Sequence, residues 1–199
     1  MGYSTDFTGS FLLSRPATEK EKEYFNLFGD TRRMKRDVNK LMELFKGEHG
    51  YPFAKEQTPE AIYGIEGAYF ARDDGQSGQD HDKSIIDYNM PPGQISYGDK
   101  DFPEYYKENQ RRTKLGLCQP GLWCQWKLNE DGTELEWDGS EKFYSYVEWL
   151  QYLITHFLEP WGIKLNGEVE WQGEESGDFG KIIATDNIIT VKIGRKEYD

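Results

Sequence analysis

Four glutamates recur two residues apart in segments whose alternate positions are apolar: Glu134 and Glu136 around Leu135, and Glu168 and Glu170 around Val169. In an extended strand successive side chains point to opposite faces. With Leu135, Trp137, Val169 and Trp171 turned inward, Glu134, Glu136, Glu168 and Glu170 turn outward, Gln172 with them. If the two strands lie near each other, four carboxylates share one face, with Glu174, Glu175 and Asp178 at its rim. Like charges directly opposed in a sheet are destabilising, by about 0.2–1 kcal/mol a pair. A basic partner, a metal ion, or interleaved Lys127 and Lys181 would offset that cost. Three readings follow: a solvated face, a partner-binding face, or a carboxylate metal site.

The opposite charge gathers at Arg32, Arg33, Lys35 and Arg36. On a helix Arg32 and Arg36 would share a face while Met34 turned inward. Guanidinium forks suit carboxylates and phosphates. The cluster therefore reads either as an anion grip formed by Arg32, Arg33 and Arg36, or as ion pairing with the protein's own acidic body. Trp123 falls on the outward register of an expected strand and is a candidate partner contact, since exposed Trp is enriched at interfaces. Asp80, His81 and Asp82, with Asp87 nearby, combine an imidazole with carboxylates, but no further converging ligand is identifiable. His156 reads as structural, near the C-terminus of a helix. Cys118 and Cys124 form a Cys-x5-Cys pair without zinc spacing and read as reduced thiols. There is no phosphate loop and no nucleophile elbow, so no catalytic residues, metal or cofactor are assigned.

Composition narrows the classes further. The 199 residues carry 24 Lys plus Arg against 36 Asp plus Glu, a formal net charge of −12. That charge argues against duplex DNA or an anionic membrane as the main partner. No apolar stretch approaches the roughly 18 residues of a membrane span, and no secretory leader is evident, so a cytoplasmic location is expected. With 6 Trp, 13 Tyr and 11 Phe, the chain is too aromatic for global disorder.

The elements that would position these residues alternate between strand and helix periods. Ser4–Leu13 reads as a strand with Phe7, Gly9, Phe11 and Leu13 on one side. Thr18 and Glu21 have the spacing of a capping box and open a helix that buries Tyr24, Phe25, Leu27 and Phe28. A second helical stripe carries Met34, Val38, Leu41, Met42 and Phe45. Residues 47–120 read as a loop-rich insertion, with a short strand at Ala68–Ala71 and a polar helix over Phe102–Arg112. Strands at 122–128 and 133–137 flank an Asp-Gly turn. A helix from about Glu141 to Leu158 carries Phe143, Tyr146, Val147, Leu150, Ile154 and Phe157. Strands at 164–171, 180–185 and 188–193 end the pattern, with Asp186-Asn187 as a hairpin turn. This order predicts an α+β protein: one domain over 1–199, a mainly antiparallel sheet, and the N-terminal helix pair and the long helix on one face.

The stretches Thr31–Asp37, Pro120–Trp126, Glu136–Gly139, Phe143–Trp149 and Leu165–Glu174 are distinctive. Through GLWCQW, EWDG and LNGEVEWQGE above all, the chain resembles a family of small uncharacterised proteins found in phages, prophages and scattered bacterial genomes. It departs from that family around 47–60 and 94–119, where it is longer. The resemblance brings no activity; it implies a mobile-element context. The reading is of a non-enzymatic binding protein that engages a basic surface through Glu134, Glu136, Glu168 and Glu170. A host defence or nucleic-acid-binding protein would present such a surface. The alternative is a small-molecule-binding protein or enzyme that recognises a phosphorylated ligand through Arg32, Arg33 and Arg36. The oligomeric state is left open.

Overall fold

The computed structural model describes residues 2–64, 83–94 and 102–194. In chain order the elements begin with β1 (Thr5–Leu13), α1 (Glu19–Asp30), β2 (Lys35–Arg36), α2 (Val38–Phe45), α3 (Pro59–Tyr63) and β3 (Ile85–Asp87). They continue with α4 (Phe102–Lys114), β4 (Trp126–Leu128), β5 (Glu134–Trp137) and α5 (Tyr146–Leu153), which runs into a π-helical turn (Ile154–Leu158). Strands β6 (Leu165–Gly173), β7 (Phe179–Thr185) and β8 (Ile188–Ile193) close the sequence of elements. The fold is α+β. Its chain divides into two compact units, residues 1–22 with 125–199, and residues 23–124, the boundary falling inside α1.

In the first unit six strands form one antiparallel sheet in the order β4-β5-β1-β6-β7-β8. Strand β1 lies between β5 and β6, with Phe11 opposite Leu135 on one side and opposite Gly167 on the other. The alternation expected for β1, β5 and β6 is obeyed: Phe7, Phe11, Leu135, Val169 and Trp171 are buried. Phe7 is the hub of this inner face. Trp126, Trp137, Phe143 and Tyr146 approach it edge-on at centroid distances of 5.4, 5.5, 5.9 and 4.9 Å. The Trp126 indole N–H donates to the Tyr146 carbonyl at 2.9 Å, tying α5 to β4.

Local signals explain the ends of elements. At the start of α1, the Thr18 amide donates to Glu21 Oε2 at 2.7 Å and the Glu21 amide donates to Thr18 Oγ1 at 3.3 Å, the reciprocal bonds of a capping box. Arg15 grips the same carboxylate with two nitrogens, at 2.9 and 2.8 Å. Asp186 and Asn187 turn the β7–β8 hairpin with φ of 49° and 73°, the left-handed pair that matches strand twist. Helix α5 starts at Tyr146, five residues after the expected Glu141. Lys142 and Ser145 both take positive φ, which breaks a helix there, and Phe143 instead reaches the aromatic hub. Trp149 and Tyr152, which fall outside the expected core stripe of this helix, are fully or almost fully buried.

The second unit packs α2 and α3 around Leu41, Ile62 and Tyr63, with Val38, Met42, Phe45 and Ala54 against them. Asp37 caps α2, its Oδ1 accepting from the amides of Asn39 and Lys40. Met34 does not belong to that helix: α1 runs through Gly29 to Asp30, and the chain is then irregular as far as β2, which pairs with β3. The expected 47–120 insertion falls inside this unit, where its described residues form α3, β3 and α4, the last matching the expected polar helix. Ala68–Ala71 and the Asp80, His81, Asp82 group lie outside the described residues. Among the described residues no helix is long and apolar enough to cross a membrane.

Candidate functional site

The outer face of the six-stranded sheet gathers the polar side chains of its strands. Glu134 and Glu136 stand on β5, Asp6, Thr8 and Ser10 on β1, and Glu168, Glu170 and Gln172 on β6. Cross-strand register fixes the neighbours: Ser10 is opposite Glu168, Thr8 opposite Glu170, and Asp6 opposite Gln172. The two glutamate pairs thus share a face, but β1 stands between them. Small hydroxyl side chains separate carboxylates that would repel if β5 and β6 were adjacent.

Each pair has its own electrostatic partner. Lys181 on β7 is opposite Glu170, and its Nζ lies 2.9 Å from a carboxylate oxygen of Glu168 and 2.9 Å from one of Glu170. Its hydrogen bonds to Glu168 and then Glu170 push the ammonium pKa upward, so the lysine stays charged. Ser10 Oγ donates to Glu134 Oε2 at 2.6 Å. Lys127 on β4 is opposite Glu136. Lys181 and Lys127 therefore interleave with the glutamates as the strand pattern allowed. Glu168 and Glu170 are exposed, while Glu134 and Glu136 are half-buried.

Toward the β8 side the same face hollows into a groove of about 490 Å³ lined by Asp6, Thr8, Glu170, Gln172, Phe179, Lys181 and Lys192, among others. Phe179 gives it an aromatic wall; Lys192 and Asp6 give it one charge of each sign. Sequence reasoning did not find this groove. The same period-two alternation would have placed Phe179, Lys181 and Lys192 on the face, but strand order, which the alternation does not encode, brings them beside Asp6 and Thr8.

At the rim, Glu174 accepts from the Ser4 amide at 2.7 Å, and Asp178 accepts from the Tyr3 hydroxyl. That bond to Asp178, reinforced by desolvation, raises the Tyr3 pKa. Two of the three rim carboxylates thus fasten the N-terminal residues to the β6–β7 turn. Among the described residues no group of three His, Cys, Asp or Glu side chains is placed to hold a metal ion.

The arginine cluster sits in the second unit in a different form. Its residues follow α1 in irregular chain and β2, so Arg32 and Arg36 are not one helical turn apart. Arg33 and Arg36 are buried, at 2% and 3% exposure. Arg36 donates to Ser84 Oγ at 2.8 Å, and the Arg33 guanidinium lies 4.4 Å from the Phe28 ring centroid. Arg32 stacks on the Tyr88 ring at 4.4 Å and donates to the Tyr88 carbonyl. All three guanidinium groups have partners within their own unit. Trp123 is half-buried and precedes β4, which starts only at Trp126, so no strand register points it outward. Cys118 and Cys124 are free and buried, and His156 stacks on Tyr152 at 4.3 Å.

The chain matches no family model, no curated protein and no solved structure.

Proposed function

We propose that the protein is a binding protein whose outer sheet face engages a basic surface on a macromolecular partner. One observation carries the reading: Glu134, Glu136, Glu168 and Glu170 share one face of a rigid sheet, with Asp6 beside them. Five carboxylates stand there against Lys127, Lys181 and Lys192, an excess of negative charge on a chain already at −12. Such a field raises the rate of encounter with cations more than it deepens the final affinity. The bridging lysine adds pre-organisation, because Glu168 and Glu170 are held before a partner arrives. Burial of Arg33 and Arg36 against their own unit weighs against the phosphorylated-ligand alternative. A phage or prophage context rests on the resemblance alone; it suggests a host protein as partner and adds no chemistry.

The test uses a fluorescein-labelled Lys/Arg-rich peptide, read by anisotropy at low salt. Replacing Glu134, Glu136, Glu168 and Glu170 together by Gln should weaken binding roughly tenfold or more, the sum of four solvent-accessible contacts of a few tenths of a kcal/mol each. The same change at Glu43, Glu56, Glu60 and Glu104, exposed glutamates of the other unit, removes equal charge and should cost far less. Equal losses from both sets would reduce the effect to net charge and overturn the face.

A further inference from the structure

The six-stranded sheet ends in two different ways. On one side β4 is three residues long, and its Trp126 and Leu128 are buried. A very short edge strand is one of the ways proteins avoid pairing with other chains. On the other side β8 runs for six residues, Ile188-Ile189-Thr190-Val191-Lys192-Ile193, without proline and in unbroken register with β7. Ile188, Val191 and Ile193 are 70%, 41% and 74% exposed. No described residue pairs with its second edge. A long, apolar, β-branched edge with a single charge is an open template for another strand.

The register says which backbone groups are on offer. The Gly194 amide donates to the Phe179 carbonyl at 2.7 Å, which makes 179 and 194 a hydrogen-bonded antiparallel pair. Alternation then turns the amides and carbonyls of residues 188, 190 and 192 toward β7, and those of Ile189, Val191 and Ile193 toward the open edge. These outward-facing groups fit a second copy of the same strand. With a two-fold axis at Val191, Val191 faces its own copy, Ile189 faces Ile193, and Thr190 faces Lys192. All three outward-pointing residues then form hydrogen-bonded pairs, apolar side chains oppose apolar side chains, and no two lysines are directly opposed. Centring on Thr190 instead would pair Ile188 with Lys192 and leave Ile193 outside the ladder.

We propose that the protein forms a two-fold symmetric dimer by antiparallel pairing of β8 with β8 about Val191, which joins two six-stranded sheets into one. A symmetric interface of this kind is self-complementary and closes at two subunits. Each copy carries −12, so association tightens as salt rises, opposite to the salt dependence of a contact with a basic partner.

Analytical ultracentrifugation of the full chain at loadings up to about 100 μM tests this. The wild type is expected at twice 23.2 kDa, and Val191→Lys, which places two cations face to face on an already exposed position, at the single mass. A wild type that stays at the single mass, or a dimer that survives Val191→Lys with its fold intact by circular dichroism, overturns the proposal. Cysteine substitution reads the register. A directly opposed pair has Cα atoms about 5.5 Å apart, within disulfide range, whereas a diagonal pair exceeds about 7 Å. Under mild oxidation Val191→Cys should therefore yield a covalent dimer and Thr190→Cys should not. The reverse result overturns the Val191-centred pairing.

Discussion

On β6, Val169 and Trp171 are buried, while Glu168 and Glu170, their immediate neighbours, are exposed. The inner face is a closed aromatic assembly in which Phe7 touches four other rings, and α5 covers it. The outer face carries charges of both signs, held by one another and by hydroxyl groups. A strand thus builds two environments from alternate residues, and the two should answer differently to substitution. Stability resides in the inner face, where apolar area leaves water and rings interlock. The outer face is free to be specified by what it meets.

The largest effect should come from the inner side. Leu150 of α5 is fully buried, as are Trp126, Val169 and Ile182. Leu150→Ala should cost roughly 2–5 kcal/mol, the range for a large apolar side chain replaced by a methyl group in a packed core. Chemical denaturation would measure it, and an unchanged midpoint would break the contrast between the faces at its root.

Much of this contrast is legible in the sequence because period two is a strong signal. The alternation around Leu135, Val169 and Trp171, the Asp186-Asn187 turn and the Thr18–Glu21 box each rest on local chemistry, and each appears in the structure where that chemistry places it. What escaped local reasoning depends on distant partners. Phe143 has a helical sequence around it, yet it leaves the helix to pack on Phe7, 136 positions earlier in the chain. Arg33 and Arg36 look like a surface cluster by composition, and burial against Phe28 and Ser84 decides otherwise. The short β2–β3 pair is too brief to leave a pattern. The placement of β1 between the two glutamate pairs is a matter of topology, which alternation does not encode.

An intermediate effect should arise where a carboxylate is buried. Glu21 is 6% exposed and receives both nitrogens of Arg15 and the Thr18 amide. Hydrogen bonding from Arg15, followed by that from Thr18, holds its pKa below the ordinary carboxylate value despite burial. Its contribution is therefore full above the unfolded glutamate pKa of about 4.3 and is lost as pH falls through the lower folded value. Glu21→Gln should cost about 1–3 kcal/mol at neutral pH, the range for a charge-assisted hydrogen bond removed from a buried acceptor. It should also flatten the loss of stability in acid. A melting curve of the variant that falls as steeply as the wild type below pH 4.3 would assign the acid sensitivity elsewhere.

The smallest effect on stability, and the most informative for function, belongs to the outer face. Glu168→Gln with Glu170→Gln removes both partners of Lys181, yet all three side chains reach solvent, where ion pairs contribute little. The melting temperature should not move measurably. What should change is the pre-organisation of the face: Lys181, released from its bridge, becomes a free cation on the face that Glu134 and Glu136 share, with two strands between it and them. Binding of a basic peptide should then weaken by more than the loss of two charges accounts for. Lys181→Met in the same background should recover part of the loss, since it removes the freed cation while keeping the aliphatic stem. If Lys181→Met recovers nothing, the lysine is a bystander and the two glutamates act singly. If the double variant lowers the melting temperature as far as Leu150→Ala does, the outer face is structural, and the division of labour between the two sides of the sheet fails.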